Sequence, residues 1–122
     1  MVDAEYAQIE GELKRDFGPD GVQDKRLGDR RQVFRLKAIE YPGGCSPAST
    51  DVLLLYSAPS AAPDILVNKV PTLPNGRQPK NVNPTTIDGE AWFNYSVQWT
   101  WTPSEPIWRN IMRKLMRFAS QE

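Results

Sequence analysis

The 122-residue chain carries fifteen basic and fifteen acidic side chains, a net charge of zero, no histidine and one cysteine, Cys45. That length suits one domain with a core of its own, and the balanced charge lacks the basic footprint of a nucleic-acid or anionic-membrane binder. Without histidine, and with a single thiol, imidazole bases, His/Cys zinc cages, Cys-His nucleophile pairs and intrachain disulfides are all excluded.

The first seventeen residues place Tyr6, Ile9, Leu13 and Phe17 on one helical face, with Asp3 as a cap, so a helix over 1–17 is expected. Its apolar face serves either the core or a docked partner, and Gly18-Pro19 ends it. Residues 18–31 are polar and glycine-containing and read as a loop. From Arg31 to Tyr41, Phe34, Leu36 and Ala38 alternate with basic residues, the pattern of a strand with one wet face. After the turn formers of 42–47, the run Val52 to Tyr56 reads as a strand buried on both faces. Residues 57–63 are irregular, and Ile65 to Val70 supplies a further strand, giving a meander over 31–70.

Ten of the eleven prolines fall between Pro42 and Pro106, and prolines withhold ladder donors, so 71–103 reads as a long aromatic and proline-rich loop. Leu73 to Gly76 forms a turn within it, and Trp92 to Trp101 alternate as extended chain. Ile107, Ile111, Leu115 and Phe118 then repeat at helical spacing, predicting a helix over 104–119 with Ser104 as its cap and Pro106 in its first turn. Arg109, Arg113, Lys114 and Arg117 form its solvated face. The predicted fold is α+β: an N-terminal helix, an antiparallel meander of about four strands, the loop and a C-terminal helix.

No stretch approaches the ~20 apolar residues of a bilayer span, and the acidic N-terminus is unlike a secretory leader. A cytoplasmic location is expected, where a lone thiol needs no partner. Cys45 lies between Gly44 and Ser46 with no cation or histidine in the neighbouring sequence to lower its pKa, so it reads as an ordinary loop thiol. Asp88 and Glu90 flank Gly89 as turn carboxylates, and Asn75-Gly76 lacks the glycine pattern of a phosphate loop. All four tryptophans, Trp92, Trp99, Trp101 and Trp108, fall within seventeen residues. Such a cluster pins an irregular segment to the core or presents a recognition surface.

The order of elements, with Trp101-Thr102-Pro103 leading into a helix, resembles the ubiquitin-conjugating-enzyme fold. Its bacterial branch, found beside ubiquitin-like, activating-enzyme-like and JAB-type isopeptidase genes, is the closer resemblance. The residues that carry it are Asp51-Val52-Leu53, Pro63-Asp64, Leu73-Pro74-Asn75-Gly76, Trp92-Phe93-Asn94-Tyr95-Ser96 and Trp101-Thr102-Pro103. The motifs span residues 50–118, and element order alone covers 1–49. Counting three on from Gly89 puts Trp92 at the family's nucleophilic cysteine, and counting eight back from Trp101 puts Phe93 there. Gln98 stands where that branch carries histidine.

What the resemblance implies is a non-catalytic conjugating-enzyme-like subunit that binds a ubiquitin-like protein, its activating enzyme or an associated JAB-type isopeptidase, without cofactor or metal. Tyr6, Lys14, Arg15, Trp99, Trp101 and Pro103 are then the partner-binding candidates. An alternative is oxyester transfer through the Ser96 hydroxyl, with Thr100 or Thr102 behind it and Asp88, Glu90 or Glu105 as base, since a hydroxyl needs one. A third reading is a peptide-binding or structural domain that only shares the fold.

Overall fold

The computed structural model describes residues 2–27, 31–41, 48–73, 76–78, 82–95 and 100–119. The elements run α1 (Val2–Phe17), a 3-10 turn (Pro19–Gly21), β1 (Val22–Arg26), β2 (Gln32–Glu40), β3 (Ser49–Tyr56), β4 (Asp64–Val67), β5 (Val82–Ile87), β6 (Glu90–Tyr95) and α2 (Ile107–Ala119). Every strand pairing is antiparallel, in the spatial order β1-β2-β3-β4-β6-β5. The protein is therefore α+β, with an N-terminal helix, a six-stranded antiparallel sheet and a C-terminal helix. The sequence expectation of about four strands located β2, β3 and β4 and, as extended chain over 92–101, overlapped β6, but it did not include β1 or β5.

α1 follows its apolar spacing: Tyr6 and Leu13 are buried, and Ile9 and Phe17 pack against the same core. It stops at Gly18, whose N–H donates to the Lys14 carbonyl at 2.9 Å and whose φ of 84° is open to glycine without Cβ strain. On the helix side of the sheet, Phe34, Leu36, Val52, Leu54, Ile65 and Val67 bury against Leu13 of α1 and Ile107, Ile111 and Leu115 of α2. Each large aliphatic side chain so buried stabilises the fold by about 1.5–3 kcal/mol. The rings of Tyr6, Phe34 and Tyr56 meet at centroid distances of 6.0 to 6.4 Å, in tilted and edge-on geometry.

Four departures from the sequence expectation have physical causes. The segment read as loop over 18–31 contains β1, of which only Val22 is buried. This strand forms because β2 offers it a ladder, Val22 opposite Leu36 through Arg26 opposite Gln32, and not because of its own patterning. β2 has no wet face in its first half: Val33 and Phe34 point to opposite sides and both are buried. It also bulges between Leu36 and Ile39, where Ala38 takes a left-handed φ of 55° and Ile39, not Ala38, returns to the core. β4 ends at Val67, short of the expected Val70, because the Asn68 carbonyl oxygen Oδ1 accepts from the Asp51 amide at 3.0 Å in place of a further ladder bond.

The largest difference lies in 71–103. The Gly76 N–H donates to the Leu73 carbonyl at 2.8 Å, while Pro74 and Asn75, the centre of the expected turn, lie outside the described residues. Beyond it, however, β5 and β6 form a hairpin whose two-residue turn is Asp88-Gly89, at φ 52° and 80°. Positive φ at both central residues is the I′ geometry whose twist matches that of the flanking strands, and Asp-Gly is among its preferred pairs. Pro84 is tolerated inside β5 because this is the outermost strand of the sheet.

α2 begins at Ile107, three residues after the predicted start, and Ser104 is not its cap. Pro106 supplies the first acceptor, its carbonyl taking N–H groups of Arg109 and Asn110 at 3.2 and 3.3 Å. The Ile107 amide donates to Glu12 Oε2 of α1 at 2.8 Å, so a carboxylate from one helix caps the other, where the dipole favours negative charge. Lys114 does not belong to the solvated face, since it is 3% exposed.

Candidate functional site

The face of the sheet away from the helices has its own apolar cluster, formed by Val33, Leu53, Leu66, Ile87 and Trp92. Alternation along β6 sends Trp92 to this face and Phe93 to the helix side, where Phe93 packs against the same core as Trp101. Trp92 is 2% exposed. The Arg35 guanidinium lies 5.1 Å from its ring centroid, a cation–π arrangement. Arg35 is held in place by two carboxylates. Its Nε and Nη2 donate to Asp51 Oδ2 at 2.9 and 2.7 Å, and its Nη1 donates to both oxygens of Glu90 at 3.0 and 2.8 Å.

Asp51 closes this network onto the β2 bulge by accepting the Ala38 amide at 3.0 Å. Burial alone would push the Asp51 carboxyl up, but the Ala38 hydrogen bond and the Arg35 charge outweigh it and hold it below the usual carboxylate range. Burial likewise works against the Arg35 charge, and the bonds from Asp51 and Glu90 reverse it, leaving its pKa raised. One guanidinium thus ties β2, β3 and β6 together across the outer face.

Lys25 of β1 is ion-paired with Asp88 at the hairpin turn. These residues come from opposite ends of the strand order, so the sheet curls far enough for their side chains to meet. The curl encloses a trough of about 550 Å³, with β1 along one side, the turn on the other and Val33, Leu53 and Trp92 in its floor. Among the described residues, the hairpin that forms one wall joins β4 through one ladder pair, Val67 opposite Phe93.

The Trp101-Thr102-Pro103 segment is fastened to α2 by Asn110, which is fully buried. Asn110 Oδ1 accepts the Thr102 amide at 2.8 Å, and Nδ2 donates to the carbonyls of Thr102 and Pro106 at 3.1 and 3.2 Å. Arg113 adds bonds to the Thr100 carbonyl at 2.8 Å and Glu105 Oε1 at 2.5 Å. Sequence reasoning passed over Arg35, Lys25 and Asn110, and took Asp51 only as part of the Asp51-Val52-Leu53 motif. A basic residue alternating into the apolar half of β2 is the signal that pointed to the first of them.

The structure does not gather the predicted site residues in one place. Tyr6, taken as a partner-binding residue, is buried in the helix-side core at 4% exposure, with Arg26 stacked over its ring. It is therefore a packing residue, because its position in α1 points into the sheet. Lys14 pairs with Glu10 at 3.6 Å and Arg15 with Asp16 at 3.2 Å, on the surface of α1. Trp101 is half-buried against the core and Pro103 is exposed. The three carboxylates weighed as bases are each engaged by a cation: Asp88 by Lys25, Glu90 by Arg35 and Glu105 by Arg113. Cys45, Ser96, Gln98 and Trp99 lie outside the described residues.

Among the described residues, no group of three or more acidic, histidine or cysteine side chains could hold a metal ion. No described helix is long and apolar enough to cross a membrane. No protein-family model, curated protein or solved structure matches the chain.

Proposed function

We propose that the chain is a non-catalytic subunit with the layout of a ubiquitin-conjugating-enzyme domain, working in the cytoplasm and binding a ubiquitin-like protein or its activating enzyme. The observation that supports this reading is the state of the two side chains that the counts put at the family's nucleophile position, of which Trp92 is 2% exposed beneath Arg35. Phe93, the position reached by the other count, faces the helix-side core. Neither side chain can form or release an acyl ester. The order of helix, antiparallel strands and Trp-x-Pro before the last helix further supports the layout.

The oxyester alternative needs a free base, and Asp88, Glu90 and Glu105 are each bound to a cation. The binding reading is therefore preferred. Its test is incubation of the protein with ATP and the ubiquitin-like and activating-enzyme-like proteins encoded in the same genome, followed by co-purification and electrophoresis. A stable complex without a covalent adduct is the expected result. A hydroxylamine-sensitive adduct lost in Ser96→Ala would establish the oxyester route, and one lost in Cys45→Ala would overturn the alignment. Absence of any complex would leave the domain to the fold-sharing reading.

A further inference from the structure

We propose that the solvent face of α2 is a docking site for an acidic amphipathic helix of another protein. The site stands whether or not the chain serves a conjugation system. Trp108 and Met116 are 38% and 55% exposed, the two large hydrophobic side chains left in solvent among the described residues. Both belong to α2, where four-residue spacing sets Trp108, Met112 and Met116 in one ridge and Arg109, Arg113 and Arg117 in the next. The core face of the helix, Ile107, Ile111 and Leu115, already packs on the sheet, so the core does not account for Trp108 or Met116. No lysine, glutamate, aspartate or serine interrupts the two ridges. Tryptophan, methionine and arginine are the types enriched where proteins meet, and lysine and the carboxylates are depleted there.

Charge selects the occupant, and the ion pairs within the chain leave that charge in place. α2 carries four cations and no acidic residue, and of these Lys114 is buried away from the ridges. Glu105 serves two of the arginines: its Oε1 accepts from Arg113 Nη2 at 2.5 Å, and its Oε2 lies 4.0 Å from Arg109 Nε. One carboxylate thus answers two guanidiniums, and the ridge keeps a positive excess without Arg117 entering the count. The α1 carboxylate bonded to α2, Glu12, accepts the Ile107 amide at the helix start instead. The Arg109 guanidinium lies 5.2 Å from the Trp108 ring centroid with its side chain 57% exposed, which sets a cation beside the apolar anchor. A helix laid along the groove between the ridges meets Trp108 and Met116 with its apolar side chains and Arg109 with a carboxylate, whose two oxygens match the guanidinium fork. An anionic membrane fits less well, because a helix lying in the lipid interface buries its apolar face there, and that of α2 is packed on the sheet.

The test titrates the full chain into a fluorescein-labelled, stapled helical peptide of about sixteen residues, with leucine along one face and glutamate beside it, read by fluorescence anisotropy at low salt. Saturation below about 100 μM is expected. The same peptide with lysine in place of glutamate should bind about tenfold or more weakly, and Arg109→Glu should erase that preference. Trp108→Ala and Met116→Ala should each loosen the glutamate peptide about fivefold or more. These three positions are exposed, and thermal melts confirm that the variants fold. In ¹⁵N spectra the shifted signals should centre on Trp108 to Arg117, with the Trp108 indole N–H among them. The proposal fails if the glutamate peptide does not saturate by about 1 mM, if the lysine peptide binds equally well, or if Trp108→Ala leaves the affinity unchanged. It fails equally if phosphatidylserine vesicles bind the chain through Trp108 more tightly than the peptide does, which assigns the face to lipid. Sedimentation showing a dimer that Met116→Glu disperses would assign it to a second copy and overturn the proposal too.

Discussion

Replacing Trp92 with alanine should cost about 4 kcal/mol of stability. Deleting a buried aromatic side chain costs about 3–5 kcal/mol, and Trp92 fills the outer cluster among Val33, Leu53, Leu66 and Ile87. The cation–π contact with Arg35 adds about 0.5–2 kcal/mol. Two features keep the total in the lower half of that combined range. The adjoining trough lets water enter the space left by the indole, so the void does not stay empty. Arg35 also keeps both carboxylate partners and is not left as a stranded charge. Urea unfolding followed by circular dichroism should show a midpoint lowered by about 2 M at a typical slope near 2 kcal/mol per molar, with the slope unchanged. Trp101 is only half-buried, so Trp101→Ala should cost about 1–2 kcal/mol, scaling with the apolar area it covers. A Trp92→Ala loss below about 1 kcal/mol, or a Trp101→Ala loss larger than that of Trp92→Ala, would refute the assignment of Trp92 to a second core.

Asn110→Ala should cost about 3 kcal/mol in thermal melts, since it strands the Thr102 amide and carbonyl that Asn110 satisfies from a fully buried position. Ala38→Gly should instead stabilise by about 0.5–1 kcal/mol: left-handed strain of about 1–2 kcal/mol at φ 55° is relieved, less the added chain entropy of glycine. Denaturant midpoints for Ala38→Gly and Ala38→Val should move in opposite directions. Burial pushes the Lys114 ammonium down to about 8, with Asp64 opposing the shift. The unfolded chain then binds more protons between pH 8 and the ordinary lysine value of about 10.4, so stability should rise by about 2 kcal/mol from pH 7 to pH 10. Lys114→Met should remove that rise, and a flat profile in the parent protein would contradict the burial effect.

Elements that bury one regular stripe were legible in the sequence. Leu13, Ile111 and Leu115 sit where helical spacing puts them, and Val52 to Leu54 fill both faces of β3 as a continuous apolar run should. The hairpin turn was legible too, because Asp-Gly between Ile87 and Glu90 is a strong short-range signal. It was masked by the weight given to Pro84, whose cost depends on strand position: negligible at the sheet edge, prohibitive inside. β1 could not be read, since four of its five side chains are exposed and the information that makes it a strand resides in β2. The second core was hidden for a related reason. Alternation in β2 and β6 reveals two faces but not whether the second is covered, and the cover here is a curl that brings Lys25 to Asp88 across 63 residues of chain.

That curl also bears on the ambiguity between Trp92 and Phe93. Counting from Gly89 selects a residue on the outer face, and counting from Trp101 selects one on the helix side, so the two counts disagree by one position and hence by a whole face of the sheet. Phe93 and Trp101 both pack against the helix-side core, whereas Trp92 lies in the outer cluster. The choice changes where a nucleophile would have pointed, yet it leaves the chemistry unchanged. An indole packed in the outer cluster and a benzyl group packed toward the helices are equally unable to carry an acyl group. Under the proposed alignment a thioester or ester would have to form elsewhere, and the adduct assay with Ser96→Ala and Cys45→Ala tests two of the candidates, with Thr100 and Thr102 behind Ser96.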